Sequence, residues 1–153
     1  MIHATSGRTP LTTPAPNAQF ATVEDLVRHR YSSDKASQHL GIEVLEAEEG
    51  RVVMAMAVQD YMLNGHHILH GGYLFTLGDT CFAFVCESLG RPSVSRQAEI
   101  TYIAPGAADS RLIATGIERT RFGRNNIVDI SIHDQDGQHL AELRVYGVLV
   151  PKK

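Results

Sequence analysis

The sequence predicts an α+β domain in which an antiparallel sheet of five or six strands wraps around one long central helix. The segment LHGGYLFTLGDTCFAFVCESLG, residues 69–90, is apolar on nearly every side from Tyr73 to Val85, as is typical of a buried helix. One pair of strand-like runs precedes it and four follow it. The chain has 153 residues, 43% of them apolar and 20% charged, which is enough for one hydrophobic core.

Local sequence signals predict a leader, a short helix and a hairpin before the long helix. Residues 1–20 are rich in Thr, Pro and Ala and predict a flexible leader, so that the folded domain spans residues 21–153. Thr22 is a candidate N-cap of a short amphipathic helix with Glu24 and Asp25 in its first turn. The segment GIEVLEAEEGRVVMAMAVQ then predicts a hairpin around the turn EEG.

Four strand-like runs follow the helix, which residues 90–92 (Gly-Arg-Pro) are expected to end. The runs cover residues 93–104, 111–121, 126–134 and 139–150. The last two are rich in β-branched residues, and turn signals such as Gln135-Asp136-Gly137 bound them. All four are therefore expected to be antiparallel strands.

Composition and charge point away from several classes of protein. The formal net charge is −3, and Lys and Arg are scattered along the sequence, which disfavours binding to nucleic acid or to an anionic membrane surface. No stretch has the length of a signal peptide core or of a membrane span. Cys81 and Cys86 lie five positions apart on the helix and point away from each other, which forbids a disulfide. We expect buried thiols, a cytoplasmic location and a small soluble ligand.

Asp79 stands out because a carboxylate inside an apolar helix costs several kcal/mol unless it is paired or chemically employed. It is either bonded to an arginine or the backbone, or it takes part in a reaction. At the start of the same helix, His70, Gly71 and Gly72 expose backbone N–H groups at the positive end of the dipole. Such a turn can stabilise an oxyanion, although two glycines can equally serve a tight entry turn.

The spacing of these residues has a consequence for assembly. Gly71 and Asp79 are eight residues apart, or about 12 Å along a helix, so that one carbonyl group cannot touch both. If both act on the same bond, Asp79 must come from a second chain whose helix runs antiparallel to the first. The two roles together require a two-fold dimer with composite sites.

Three segments carry a family resemblance: MLNGHHILHGGYLFTLGDTCFAF, ITYIAPG and GRNNIVDISIHDQDG. Between residues 36 and 150 the chain resembles the hot-dog-fold thioesterases of the phenylacetate-degradation (PaaI) type. The resemblance implies hydrolysis of acyl-coenzyme A thioesters, an obligate homodimer often paired into a homotetramer, and no metal or cofactor. One departure is Gly78, where the family often has Ala; it is expected to weaken the helix by up to about 1 kcal/mol.

The resemblance also implies roles for individual residues. Asp79 is expected to act as general base or nucleophile, and Gly71, with its neighbours His70 and Gly72, to polarise the carbonyl. Asn64 is expected to offer its amide to the carbonyl or to water, unless it only forms an Asn-Gly turn. The remaining expectations concern substrate binding: Ser95 orients water, Phe75 contacts the acyl group, and Arg124, with Arg119 and Arg121, holds coenzyme A phosphates unless these are only solvated turn charges.

Two alternatives to a thioesterase remain open at this point, a non-catalytic acyl-CoA-binding module and an enoyl or hydroxyacyl thioester hydratase. No motif pairs His and Asp along the helix in the order usual for hydratases. A metal site of His66, His70 and Asp79 is disfavoured because His66 and His67 are expected in a loop. The first expectation for the substrate is an arylacetyl-CoA.

Overall fold

The computed structural model describes residues 19–150. The predicted leader therefore lies almost wholly outside the described residues, and the division into residues 1–20 and 21–153 stays a prediction. Within the described part, the predicted α+β architecture is confirmed. Six antiparallel strands form one sheet in the order β1-β2-β4-β5-β6-β3, and a single long helix packs against it.

The helices are α1 (Val23–Tyr31), α2 (Lys35–His39) and α3 (Gly71–Ser88), with a 3₁₀ turn at Asp60–Met62. The strands are β1 (Glu43–Glu48), β2 (Arg51–Ala57), β3 (Ser93–Tyr102), β4 (Arg111–Phe122), β5 (Asn125–Asp134) and β6 (His139–Leu149). The helix α2 and the 3₁₀ turn were not predicted, because segments of five and three residues are too short to show a helical period. None of the helices within residues 19–150 is long and apolar enough to cross a membrane.

Helix α1 begins where the sequence predicts. The hydroxyl of Thr22 accepts a hydrogen bond from the Asp25 N–H at 3.0 Å, which satisfies one of the free donors of the first turn. Leu26 and Val27 are its buried residues. These two side chains fix the helix against the rest of the core.

Strand β3 lies at one edge of the sheet, because the chain crosses from β2 through α3 to the far side of β6. It pairs only with β6, from Ser93↔Leu149 to Tyr102↔Ala141. Since β3 follows α3 after a short connection, Ser93 lies near the end of the helix and Tyr102 near its start. The edge strand thus runs alongside the helix in the opposite direction.

Helix α3 is not buried on every side within one chain, contrary to the expectation from its composition. Leu77, Cys81 and Val85 are completely buried against the sheet. A stripe on another side of the helix is only half-buried, and its members are Phe75, Thr76, Asp79, Thr80 and Ala83. The sheet and α1 leave this stripe without a complete cover.

Gly78 has a packing reason that the sequence does not show. A Cβ built at this position would overlap the side chain of Leu143 on β6, which is only 2% exposed. The glycine lets α3 approach the sheet closely. The helix weakening expected at this position is therefore offset by close packing.

We predict that Gly78→Ala destabilises the protein by about 1–3 kcal/mol, because the strain of overpacking outweighs the gain in helix propensity. Urea unfolding followed by circular dichroism measures the change. Gly78→Ala combined with Leu143→Ala should be less damaging than the sum of the two single changes. A Gly78→Ala variant more stable than the parent would contradict this packing argument.

Candidate active site

A cleft of about 530 Å³ opens at the start of helix α3. Its wall is built from the loop before the helix, the first helical turn and the segment that follows β3. The lining residues are Asn64, Leu74 and residues 68–72 and 102–106. Four of the predicted site residues thus come together here: Asn64, His70, Gly71 and Gly72.

His70 is the N-cap of α3. Its Nδ1 accepts a hydrogen bond from the Gly72 N–H at 3.0 Å, and its carbonyl accepts one from the Tyr73 N–H at 3.0 Å. In a neutral imidazole whose Nδ1 is an acceptor, the proton resides on Nε2. The His70 side chain therefore occupies the Gly72 N–H, one of the two glycine N–H groups that were expected to face a substrate.

The N–H of Gly71 remains as the free donor of this turn. As the first residue of α3 it has no intrahelical acceptor, and its N–H donates no hydrogen bond to any other acceptor within residues 19–150. The positive end of the helix dipole reinforces it as a donor to a negative oxygen. Of the two glycine N–H groups predicted to stabilise an oxyanion, the one of Gly71 is therefore available as a donor.

Tyr102 holds this turn from the other side, although it is not among the predicted site residues. Its hydroxyl donates to the Gly71 carbonyl at 3.2 Å. A Cβ on Gly71 would lie 2.8 Å from Cε1 of the Tyr102 ring. The tip of an aromatic ring from the edge strand therefore occupies the space that a side chain at position 71 would take.

Asn64 combines the two roles between which the sequence left a choice. Its Oδ1 accepts from the His66 N–H at 2.8 Å, which makes an Asx turn in the loop before α3. Its side-chain NH₂ donates to no acceptor within residues 19–150, and the residue lines the cleft. The side-chain oxygen of Asn64 thus stabilises the loop, and its side-chain nitrogen is free to donate a hydrogen bond to a ligand.

Asp79 is not locked in a salt bridge. Its Oδ1 is buried without a hydrogen-bond donor, and no ion pair within residues 19–150 involves it. Asp129 on β5 shows the opposite case, since Arg144 and Arg119 both bond to it and the hydrogen bond from Arg144 lowers the pKa of its carboxyl. No guanidinium group within residues 19–150 of the same chain therefore accounts for Asp79.

Within one chain, however, Asp79 does not line the cleft. It lies eight residues along α3 from Gly71, or about 12 Å, on the half-buried stripe together with Phe75. The single chain therefore separates the carbonyl-polarising turn from the carboxylate. The distance expected from the sequence is the distance in the fold.

Ser95 and Arg124 lie toward the other end of the helix. Ser95 is exposed on β3, opposite Gly147 of β6, and Arg124 in the β4–β5 turn donates to the Leu149 carbonyl at 3.1 Å. Since α3 has 18 residues and spans about 27 Å, Arg124 is far from Gly71 of its own chain. Neither residue lines the cleft.

A second cleft of about 420 Å³ shares His70 and Gly72 with the first one. Tyr61 and Tyr73 line it, with their rings edge to face and their centroids 6.2 Å apart. A ligand centred on Gly71 therefore has two hollows into which its two arms can extend. Neither tyrosine is among the predicted site residues, although Tyr73 lies inside the segment that carries the family resemblance.

The histidines of the preceding loop do not form a group with Asp79. His66 and His67 lie before α3, as predicted, and His67 has a left-handed backbone with φ of +58°. Within residues 19–150 no three His, Cys, Asp or Glu side chains are close enough to hold a metal ion. That the protein works without a metal or cofactor stays a prediction.

Neither cysteine is built to act as a nucleophile. Cys81 and Cys86 are free and buried, and burial raises the pKa of their thiols to about 12 and about 11. Both thiols are therefore protonated at neutral pH, and the thiolate is the reactive form. They belong to the core, as expected from the sequence.

The comparisons with known proteins agree with this geometry. The family model described as the thioesterase superfamily matches residues 66–141. Acyl-coenzyme A thioesterase PaaI of Escherichia coli K12 is 38% identical over 114 residues, covering 74% of this chain and 81% of that protein. Human acyl-coenzyme A thioesterase 13 is 33% identical over 76 residues, covering 48% of this chain and 54% of that protein.

Solved structures give the same result. The structure of E. coli PaaI from the phenylacetic acid degradation operon has a TM-score of 0.82 at 33% identity, covering 86% of this chain and 95% of that one. A hypothetical thioesterase of Streptococcus pneumoniae, solved with coenzyme A, has a TM-score of 0.70 at 28% identity, covering 73% and 90%.

The six-stranded sheet around α3 is the hot-dog fold, and these matches make the chain a thioesterase. Within that class, it belongs to the hot-dog-fold acyl-coenzyme A thioesterases of the PaaI type.

We predict that Gly71→Ala costs about 1–3 kcal/mol of stability in the parent protein, because the new methyl group meets the Tyr102 ring. In a Tyr102→Ala background the same change should cost less than about 1 kcal/mol, since the obstructing ring is gone. Urea unfolding of the two single variants, the double variant and the parent measures the coupling. Tyr102→Phe serves as the control, because it keeps the ring and should keep the full cost. An equal cost of Gly71→Ala in all three backgrounds would show that the ring does not select glycine.

Proposed function

We propose that this protein hydrolyses acyl-coenzyme A thioesters to the free acid and coenzyme A, and that arylacetyl-CoA is its preferred substrate. The observation that carries the proposal is a pair of unsatisfied groups. One is the Gly71 N–H at the cleft, and the other is the buried, unpartnered oxygen of Asp79. Thioester hydrolysis needs a donor for the carbonyl oxygen and a carboxylate beside the carbonyl carbon.

In this mechanism the thioester oxygen accepts a hydrogen bond from the Gly71 N–H. Negative charge grows on that oxygen as the carbonyl carbon becomes tetrahedral, so that the bond strengthens toward the transition state. The free NH₂ of Asn64 supplies a second donor to the same oxygen or to the attacking water. His70 and Tyr102 keep the turn in place through the Gly72 N–H and the Gly71 carbonyl.

Asp79 of the partner subunit supplies the attack in one of two ways. As a general base it removes a proton from water, the hydroxide adds to the carbonyl carbon, and the C–S bond breaks while the protonated Asp79 returns the proton to the leaving coenzyme A sulfur. As a nucleophile its carboxylate adds directly and forms an anhydride, coenzyme A leaves as the thiolate and is protonated by water, and hydrolysis of the anhydride regenerates Asp79. Ser95 lies on the strand after the same helix, where its hydroxyl would orient the water.

A homodimer with antiparallel α3 helices is part of the proposal. The half-buried stripe that carries Phe75, Asp79 and Ala83 is the face that such a partner would cover, which supports this arrangement. Structures of the S. pneumoniae thioesterase include variants in which an aspartate and a threonine sixteen positions later were each replaced by alanine. Asp79 and Ser95 have the same interval. Pairing of two dimers into a homotetramer and a cytoplasmic location remain predictions from the resemblance.

The two clefts that share His70 suit the two arms of the substrate. The larger one, with Asn64 and the backbone of residues 102–106, would take the pantetheine arm, which carries amides. The smaller one presents the edge-to-face rings of Tyr61 and Tyr73, a surface suited to a further aromatic ring. Phe75 of the helix stripe does not line this cleft in one chain, and its contact with the acyl group stays a prediction. An arylacetyl group therefore fits better than a straight acyl chain.

We predict that Asp79→Asn lowers the hydrolysis rate of phenylacetyl-CoA by about 10²–10⁴-fold, because the amide can neither take a proton nor attack. Release of coenzyme A, followed with a thiol reagent, measures the rate. Asp129→Asn is the matched control, since it removes a carboxylate that is bound by two arginines and should leave the rate nearly unchanged. If Asp79→Asn keeps most of the activity, the assigned role is wrong; if the parent protein binds thioesters without releasing thiol, it is a binding module.

The composite site predicts complementation between two variants: Asp79→Asn lacks the carboxylate, and in Gly71→Ala the new methyl group displaces the donating turn, because it meets the Tyr102 ring. When Asp79→Asn and Gly71→Ala chains are unfolded together and refolded at equal amounts, about half of the dimers are mixed, and each mixed dimer has one site with both native residues. We therefore expect about a quarter of the parent activity. Each variant refolded alone is the control. A tag on one chain shows whether the mixture contains mixed dimers. If mixed dimers form and no hydrolysis activity is recovered, Gly71 and Asp79 do not act together from different subunits.

A further inference from the structure

Three arginines within residues 19–150 have no carboxylate partner. Residues 19–150 contain ten arginines, and seven of them form ion pairs with Asp or Glu. The remaining three are Arg91, Arg96 and Arg124. In a chain with a net charge of −3 there are enough acids to pair them, so that their isolation needs an explanation.

The fold gathers these three residues around one turn, although they are far apart in the sequence. Arg91 donates to the Gly123 carbonyl at 3.3 Å, and Arg96 donates to Asn125 Oδ1 at 3.1 Å. Arg124 is itself in this turn between β4 and β5. We call Arg91, Arg96 and Arg124 the arginine cluster.

The surroundings of the cluster are poor in negative charge. The carboxylate of Glu118 is the one acid among the residues that line the small hollow between Arg91 and Arg124, and it is already paired with Arg121 at 2.7 Å. Three like charges so placed repel one another unless an anion neutralises them. Guanidinium groups bind phosphate oxygens by paired, charge-assisted hydrogen bonds.

An exposed aromatic residue adjoins the same turn. Phe122 is the last residue of β4, directly before the turn, and it is 53% exposed. Guanidinium groups bind phosphates and an exposed aromatic ring stacks on a base, so that one turn carries both kinds of group. The cluster therefore resembles a nucleotide site more than a solvated turn.

We propose that the arginine cluster and Phe122 bind the nucleotide end of coenzyme A, with the arginines on its phosphates and the ring against adenine. This inference rests on the proposed function and extends it from Arg124 to Arg91, Arg96 and Phe122. It also assigns the site to the subunit that supplies Asp79, not to the one that supplies Gly71.

The helix geometry gives the reason for that assignment. With α3 helices antiparallel and Asp79 of one subunit beside Gly71 of the other, the rest of the first helix continues outward past the cleft. Ser88, the end of α3, lies nine residues or about 14 Å beyond Asp79, and Arg91 follows it. The cluster thus lies outside the cleft at a distance that an extended pantetheine arm can bridge. The cluster of the subunit carrying Gly71 lies at the far end of its own helix.

Substrates with and without phosphates test this proposal. We expect Arg91→Gln/Arg124→Gln to raise KM for phenylacetyl-CoA about tenfold or more with little change in kcat, because the arginines contact only the nucleotide end. Hydrolysis of the phenylacetyl thioester of N-acetylcysteamine, which has no phosphate, should not change. Phe122→Ala should raise KM for the CoA ester but not for the phenylacetyl ester of 4′-phosphopantetheine, which lacks adenosine.

Arg28→Gln/Arg51→Gln removes the same charge from two paired surface arginines and should leave both substrates unaffected. Equal effects of the Arg91/Arg124 variant on the ester with and the ester without phosphates would overturn the proposal, and so would no effect on either. A parent protein that hydrolyses neither ester would instead refute the proposed function itself.

Mixed dimers test the choice of subunit. In a dimer of an Asp79→Asn chain and a Gly71→Ala chain, the one native site takes its Asp79 from the Gly71→Ala chain. Adding Arg91→Gln/Arg124→Gln to that chain should raise KM of the mixed dimer. Adding it to the Asp79→Asn chain should not, and the reverse result would assign the cluster to the other subunit.

Discussion

The peptide between Gly71 and Gly72 is held at both ends, and the candidate site depends on this constraint. Its oxygen accepts a hydrogen bond from the hydroxyl of Tyr102 on the edge strand. Its N–H donates a hydrogen bond to Nδ1 of His70 in the preceding loop. Three separate parts of the chain therefore meet on the first turn of α3. Because the neighbouring N–H of Gly72 is already used, the Gly71 N–H is left as a single fixed donor, and fixed donors need little reorganisation when charge develops.

Helix α3 also sets the distances between the parts of the proposed site. A rigid helix places the donor at its start, the carboxylate about 12 Å along and the arginine cluster beyond its end. One subunit alone cannot bring these groups to the same substrate. Two antiparallel helices can, since each contributes its start to one site and its middle and end to the other. In this proposal, dimerisation is a condition of the chemistry.

Asp79 and the arginine cluster are charged groups that have no ion-pair partner within the described chain. Asp129 is bonded to Arg144 and Arg119, whereas Asp79 has a buried oxygen with no donor. Seven arginines have acidic partners, and the three that do not are gathered at one turn. Leaving a buried or clustered charge without a partner costs stability, so such groups are expected where a ligand completes them.

The sequence by itself determined the fold class, a sheet of five or six strands and the long helix, because hydrophobic period, caps and turn residues are local signals. It also selected Asn64, His70, Gly71 and Asp79 as candidate site residues and predicted the spacing of the last two along the helix. Only the tertiary structure showed that the Tyr102 ring occupies the side-chain space at position 71, that one stripe of α3 lacks a cover and that Arg91, Arg96 and Arg124 meet. These residues are separated by up to 33 positions and are joined by strand register and turn geometry, which no local pattern encodes. Scattered charges in a sequence therefore do not exclude a charged cluster in the fold.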